Sequence, residues 1–458
     1  MARAAPDFGR HGPTTIARLA AILLLAIAGF TLCDAPAARA LPSFALQTGQ
    51  QCVACHNGYP ELTPYGRQFK LNGYTLSSIN ASSLPLAMVI IATDTHTQKA
   101  APAPVIPGTS RNDNLVMDAA NVYLAGRLTS NVGAFVQALW SPLTHRLQIF
   151  TADVRYANST RVLGKDLTYG VSVNNNPGVS DPWNTAGSFW SYPYEMSHVV
   201  GGPDAGTAIQ GRYALEVVGA NTYLSWNRLL YADVGAYRSL TPSTLNSIGV
   251  NTRGFNPIDG IAPYWRVAVE PAWGHSTLEF GTFGLALSAY PRQVTRAGTD
   301  RTVDVGFDGE YQYLENRNSL SLIGSYIHES ASMGASRALG FATNGRDVLD
   351  AVNVKATYYY DQKYGGNIGY FQTTGTRDRD LYGAASAAGS PDTAGWIMEA
   401  DYYPFNRDGP VFWRKLNLKF GLQYTYYTRF NGGTSNYDGA GRSAADKNTL
   451  FLYTWTSF

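Results

Sequence analysis

From about residue 85 to its end, the chain alternates apolar and polar side chains with a period of two, segment after segment. In "LNLKFGLQYTYYTRF" (416–430) the even positions include Leu416, Leu418, Phe420, Leu422, Tyr424 and Tyr426. Asn417, Lys419, Gly421, Gln423, Thr425, Tyr427 and Arg429 fall on the odd ones. "LQIFTADVRYA" (147–157) sets Phe150, Ala152, Val154 and Tyr156 against Thr151, Asp153 and Arg155, and residues 121–128 and 166–173 repeat the pattern. This period puts one set of side chains on each face of a strand, so it commits most of the chain to β-structure. Abundant Gly (46) and Tyr (30) with only 15% charged residues agree.

Alternation alone also fits a soluble sandwich with one wet face. Three features favour a transmembrane barrel. The segments run about 10 residues or longer, enough for a tilted strand to cross a bilayer. Tyr, Phe and Trp cluster near strand ends, where interface girdles need them. The chain ends on a strand-like "TLFLYTWTSF" closing with Phe458, an ending typical of bacterial outer-membrane barrels. "TSN" (129–131) is a tight turn, whereas 174–211 is far too long for one, matching short periplasmic turns and long external loops. Roughly 370 residues at about 23 per strand and connection give ~16 antiparallel strands, and a barrel that size is wider than wall side chains alone fill. Both parities carry apolar residues, so the pattern leaves open which face meets lipid.

Residues 1–40 read as a secretory signal: Arg3, Arg10 and Arg18 precede the apolar run 19–32, and "ARA" (38–40) offers a cleavage site. Removing them takes four Arg and two Asp from 35 basic and 33 acidic residues, leaving 31 of each. A neutral mature chain gives no electrostatic case for nucleic acid.

After that cleavage two of the three cysteines remain, in Cys52-Val-Ala-Cys55-His56. This is the C-x-x-C-H spacing of covalent c-type haem attachment. Two thiols one helical turn apart reach the two vinyl groups, and the adjacent imidazole becomes the proximal iron ligand. A zinc site lacks a second Cys pair, and a thioredoxin-like pair lacks its α/β surroundings. For the distal iron position the nearby candidates are Met88 and His96, which share one parity of "PLAMVIIATDTHTQ" (85–98); a packing Met and a polar lumen His are the plain alternatives. Arg67 and Lys70 are candidate partners of the haem propionates, against the plain reading as solvated charges. Tyr59, Tyr65, Phe69 and Tyr74 are candidates to cover the porphyrin. His145, His198, His275 and His328 are isolated and read as strand or loop residues. The layout is thus a signal (1–40), a short helical haem segment (41–84) plugging the lumen, and a porin-like barrel (85–458).

The stretch "LPSFALQTGQQCVACHNGYPELTPYGRQFKLNGY" (41–74) resembles the N-terminal signature of the fused cytochrome–porin family, outer-membrane monohaem c-type cytochromes of the iron-oxidase type. The likeness goes beyond the haem motif to Phe44, Gln47-Thr48-Gly49, Pro60 to Pro64, Gly66-Arg67, Phe69-Lys70-Leu71 and Gly73-Tyr74. Residues 95–97, 125–137 and 153–158 also look like family segments. The resemblance implies one covalent haem c on Cys52 and Cys55 with His56 as proximal ligand, in an electron conduit of the bacterial outer membrane. It implies extracellular Fe(II) as electron donor and a periplasmic cytochrome or other carrier as acceptor, that is, one-electron iron:cytochrome c oxidoreductase activity. The haem segment is expected inside the barrel near the periplasmic side, where barrel walls complete the pocket of so short a segment. The alternative is a solute-conducting porin whose haem segment is a plug or sensor.

Overall fold

The computed structural model describes residues 42–78, 85–186, 193, 195–407 and 416–458; the expected signal, 1–40, lies outside them. The expected haem segment forms three short helices, α1 (Pro42–Thr48), α2 (Cys52–Cys55) and α3 (Pro64–Leu71). Sixteen strands follow. They are β1 (Leu86–Thr97), β2 (Asn114–Arg127), β3 (Val132–Ser141), β4 (Arg146–Val162), β5 (Lys165–Asn174), β6 (Val217–Trp226), β7 (Leu230–Ser239) and β8 (Ala262–Val269, resumed at Ala272–Trp273). The second half is β9 (Ser276–Ala289), β10 (Asp300–Leu314), β11 (Asn318–Ser332), β12 (Arg346–Tyr360), β13 (Tyr364–Gly375), β14 (Thr393–Tyr402), β15 (Asn417–Arg429) and β16 (Thr449–Ser457). Every strand pairs antiparallel with its sequence neighbours, and β16 returns to β1 with Ile91 opposite Trp455. The ring leaves no free edge, as a sheet in lipid requires.

The structure decides which parity meets lipid. On β15, Asn417, Lys419 and Gln423 are buried inside, while Leu422, Tyr424 and Tyr426 are exposed outside. On β4, Asp153 and Arg155 face the lumen, and Val154 and Tyr156 face out. Outward aromatics form two bands. Tyr364 stacks on Tyr402 (5.2 Å) near one rim, and Trp396 meets Tyr370 (5.1 Å) nearer the other. Trp396 and Tyr402 are six residues apart on β14, about 20 Å at the usual strand rise, close to the height of a lipid-facing belt.

Connections are asymmetric. One end has the turns 128–131, 163–164, 227–229, 315–317 and 361–363; the other has the loops 98–113, 175–216, 240–261, 376–392 and 430–448. The exceptions are 142–145, short at the long-loop end, and 403–416, long at the short-turn end.

The lumen is filled from both ends. Residues 42–78 enter at the short-turn end and bond to walls all round: Glu61 to Lys355 of β12, Arg67 to Glu310 of β10, Tyr74 to Asp153 of β4, and Tyr59 to Asn417 of β15. From the opposite end residues 175–186, the first part of a loop expected to lie outside, fold inward. The Asp181 carboxylate accepts the backbone N–H groups of Trp183 (2.9 Å), Thr185 (2.7 Å) and Ala186 (3.0 Å), and lies 3.5 Å from the buried Arg266 of β8. The loop thereby satisfies its own backbone and brings a counter-charge to a lumen cation, which makes its burial tolerable.

Candidate functional site

Cys52 and Cys55 lie one turn apart on α2, both as free thiols. The chain then reverses: Asn57 N–H donates to the Glu61 carbonyl (3.0 Å) and Thr63 N–H to the Cys55 carbonyl (2.9 Å). Helix α3 starts where a sequence reading would start it. The Thr63 hydroxyl accepts the Gly66 N–H (3.2 Å) and Pro64 takes the first helical position. Gly66 lets α3 press on α2, since a Cβ there would stand 2.3 Å from the Cys55 carbonyl oxygen.

Beside the thiols and imidazole opens a cleft of about 140 Å³. Phe44, Tyr59, Phe69 and Tyr74 line it from the plug, Phe135 and Trp455 from the barrel wall, and Val179 and Asn184 from the folded-in loop. Three separate parts of the chain complete one apolar pocket. Burial pushes the His56 pKa down to about 4, so its imidazole is neutral, the form that binds metals. Burial, and then the neighbouring Cys52, pushes Cys55 up to about 12. His56 Nδ1 is buried without a hydrogen-bond partner. Two free thiols, a neutral imidazole with an orphan nitrogen and an aromatic cleft fit a covalent haem.

The other expected site residues divide. Lys70 lines the cleft and donates to the Asp181 carbonyl (2.8 Å); burial, and then the charge of Arg155, lowers its pKa to about 7. Tyr59, Phe69 and Tyr74 line the cleft, whereas Tyr65 lies on the outer side of α3 and is 38% exposed. Arg67 is directed to the barrel wall rather than into the cleft. Its guanidinium donates to the carboxylates of Glu270 and Glu310 (3.0 Å), the opposite charges a buried cation requires, and to the amide oxygen of Gln312 (3.1 Å). Met88 and His96 are not brought to the motif. Val89 and Ile91 are the inward residues of β1, packed with Trp455, which leaves Met88 and His96 on the outward parity. His96 is exposed at the long-loop end, with Nδ1 2.6 Å from Asp113. His198 pairs with Asp118 and His328 with Asp350, and among the described residues no three His, Cys, Asp or Glu side chains form a metal cluster. Phe135 and Trp455 escaped the sequence reading, because nothing local marks a wall aromatic as part of a pocket 80 or 400 residues away.

The fold and its outward apolar belt define an outer-membrane β-barrel. No protein-family model and no curated protein matches the chain. Among solved structures it is similar to the outer-membrane channel DcaP of Acinetobacter baumannii, at 12% identity and TM-score 0.47, over 81% of this chain and 96% of that one. It is also similar to OmpT of Vibrio cholerae, at 9% identity and TM-score 0.42, over 83% and 100%. An anion-selective porin from Comamonas acidovorans matches at 10% identity and TM-score 0.44, over 81% and 98%.

Proposed function

We propose that this chain is a haem-bearing redox barrel of the fused cytochrome–porin type, passing single electrons from extracellular Fe(II) to a periplasmic carrier. The observation that carries the reading is the placement of Cys52, Cys55 and His56 on an aromatic cleft inside a lumen occupied from both ends. Cys52 and Cys55 would hold the cofactor covalently and His56 would hold its iron from the proximal side. A haem bound there supplies a reversible one-electron couple. The chain contributes shelter and support. Phe44, Phe69, Tyr74, Phe135 and Trp455 keep water from the cleft, and Lys70 sets one titrating charge on its edge. Among the described lining residues His56 is the one histidine, and no methionine is present. Residues 42–78 sit at the short-turn end, the periplasmic end of such barrels, a position suited to delivery into a periplasmic carrier. Ferric iron precipitates near neutral pH, so a cell gains by leaving it outside.

A second reading, a solute-conducting porin with a plug, is favoured by the barrel's size. It is also favoured by cavities of about 450 Å³ at the long-loop end and about 650 Å³ at the short-turn end. Anaerobic mixing of the purified protein, oxidised, with Fe(II) separates the two. Prompt reduction of the haem band, lost in His56→Ala while solute flux is unchanged, supports the redox reading. An inert haem with appreciable flux puts the porin reading ahead.

A further inference from the structure

We propose that Arg301, Arg337 and Arg346, on the outer face of β10–β12, bind the phosphate groups of the outer-leaflet glycolipid. The inference goes beyond the redox reading and does not rest on it. It begins with two dipeptides, Asp300-Arg301 opening β10 and Arg346-Asp347 opening β12. Neighbours on a strand point to opposite faces, so each dipeptide splits its charges. Asp300 and Asp347 line the cavity inside the barrel at the long-loop end. Arg301 and Arg346 are exposed, on the outward parity of Val305 and Phe307 in β10 and of Val354 and Tyr358 in β12.

Ser332 of β11 stands between them, opposite Arg301 on one side and Arg346 on the other. Arg337, in the connection 333–345, closes on the pair: a Cβ added at Gly345 would stand 3.5 Å from its Nη1. Among the described residues none of these three guanidiniums has a hydrogen bond or an ion pair. Asp300 is taken by the N–H groups of Ala335 (2.9 Å) and Ser336 (3.1 Å). Elsewhere on the same rim Arg429 has Asp392 (3.2 Å) and Lys99 has Asp446 (3.2 Å). Three like charges gathered without a counter-charge repel one another and favour an anion from outside.

Height identifies the anion. On β12 the outward residues run from Tyr360 at the short-turn rim up to Asp350, which pairs with His328 (2.8 Å) and accepts the Tyr326 hydroxyl (2.6 Å). Ten residues of tilted strand rise about 25 Å, the height of a lipid-facing belt, so this polar group marks the belt's outer edge. Arg346 lies four residues further on, about 10 Å higher, at the level of lipid headgroups. Guanidinium forks match phosphate oxygens two at a time, and their long stems reach along the wall to meet them. At the long-loop end the leaflet carries a phosphorylated glycolipid, and that is the occupant this position selects.

The test is native mass spectrometry of the purified full barrel in detergent, titrated with bisphosphorylated lipid A. Wild type should retain the lipid, and Arg301→Gln/Arg346→Gln should bind it about 25-fold more weakly. That is about fivefold for each arginine removed, the usual weight of a basic side chain at an anionic lipid surface. Lys99→Gln, elsewhere on the rim, should bind as wild type does. Heat-modifiable gel migration reports whether each variant is a closed barrel. Lipid A stripped of its phosphates should bind wild type far more weakly, a comparison that holds even if the double variant fails to fold. Millimolar inorganic phosphate should leave the lipid in place, because its acyl chains lie on the adjoining belt. Equal retention of intact and stripped lipid A, or undiminished binding by the folded double variant, overturns the proposal. Displacement by inorganic phosphate marks a free-anion site and overturns it too. So does a double variant that loses oligomers rather than lipid, which makes the face a contact between copies of the chain.

Discussion

The ammonium of Lys355 on the barrel wall lies 2.5 Å from the carboxylate of Glu61 in the plug, across 294 residues of sequence. Burial raises the Glu61 pKa, but the attraction of Lys355 and bonds from Lys355, Ser321 and Asn57 outweigh it and hold the carboxyl below its usual range. The pair fastens the segment carrying Cys52 and His56 to the wall.

Glu61→Gln leaves the Lys355 ammonium buried without its counter-charge, a loss of about 3–5 kcal/mol for a broken buried pair. In planar bilayers the variant should show frequent open-channel events that wild type lacks. The double variant Glu61→Leu with Lys355→Met should be quieter than Glu61→Gln. Equal conductance in all three contradicts the fastening role.

Arg266 is a second fastening point, binding Asp181 of the folded-in loop (3.5 Å) together with Glu279 (3.1 Å) and Asp308 (2.6 Å) of the wall. Arg266→Met strands three buried acids, at a similar cost of about 3–5 kcal/mol or more. Limited proteolysis of intact proteoliposomes should then cut within 175–216 from the long-loop side, where wild type resists.

Gly66→Ala forces a Cβ to 2.3 Å from the backbone oxygen of Cys55. Backbone cannot yield there as a flexible side chain could, so α3 must retreat and open the cleft. The ratio of haem absorbance to total protein should fall well below wild type, while the barrel still shows heat-modifiable migration.

The strands were legible in the sequence, and so was the placement of Cys52, Cys55 and His56 side by side, because both are local patterns. The lipid-facing parity was not. Where the plug touches the wall, Ala87, Val89 and Ile91 of β1 pack with Phe44 and Tyr59, so the inside of that strand is as apolar as the outside. That is why Met88 and His96, correctly read as sharing one face, were candidates for the wrong side of the wall. Arg67 was a reasonable propionate partner by proximity in sequence. Its partners, Glu270 in the break of β8 and Glu310 on β10, belong to parts of the wall that no local pattern connects to it.

Lys70 gives the pocket a pH response. Burial and Arg155 lower its pKa to about 7, so its positive charge is present below neutral pH and lost above. A nearby positive charge favours the reduced iron, so the midpoint potential should fall as pH rises through 7. The slope is at most about 59 mV per pH unit, the limit for one proton coupled to one electron. Spectroelectrochemical titration of Lys70→Met should give a flatter profile over the same range.

The central claim, electron passage through a haem lodged in the lumen, is tested most directly in sealed proteoliposomes holding a trapped soluble one-electron acceptor. Oriented with long loops outward, haem-loaded wild type should reduce the acceptor when Fe(II) is added outside, and Cys52→Ser/Cys55→Ser barrels should not. Acceptor reduction at the same rate in both, or in neither while the wild-type haem is intact, contradicts the account.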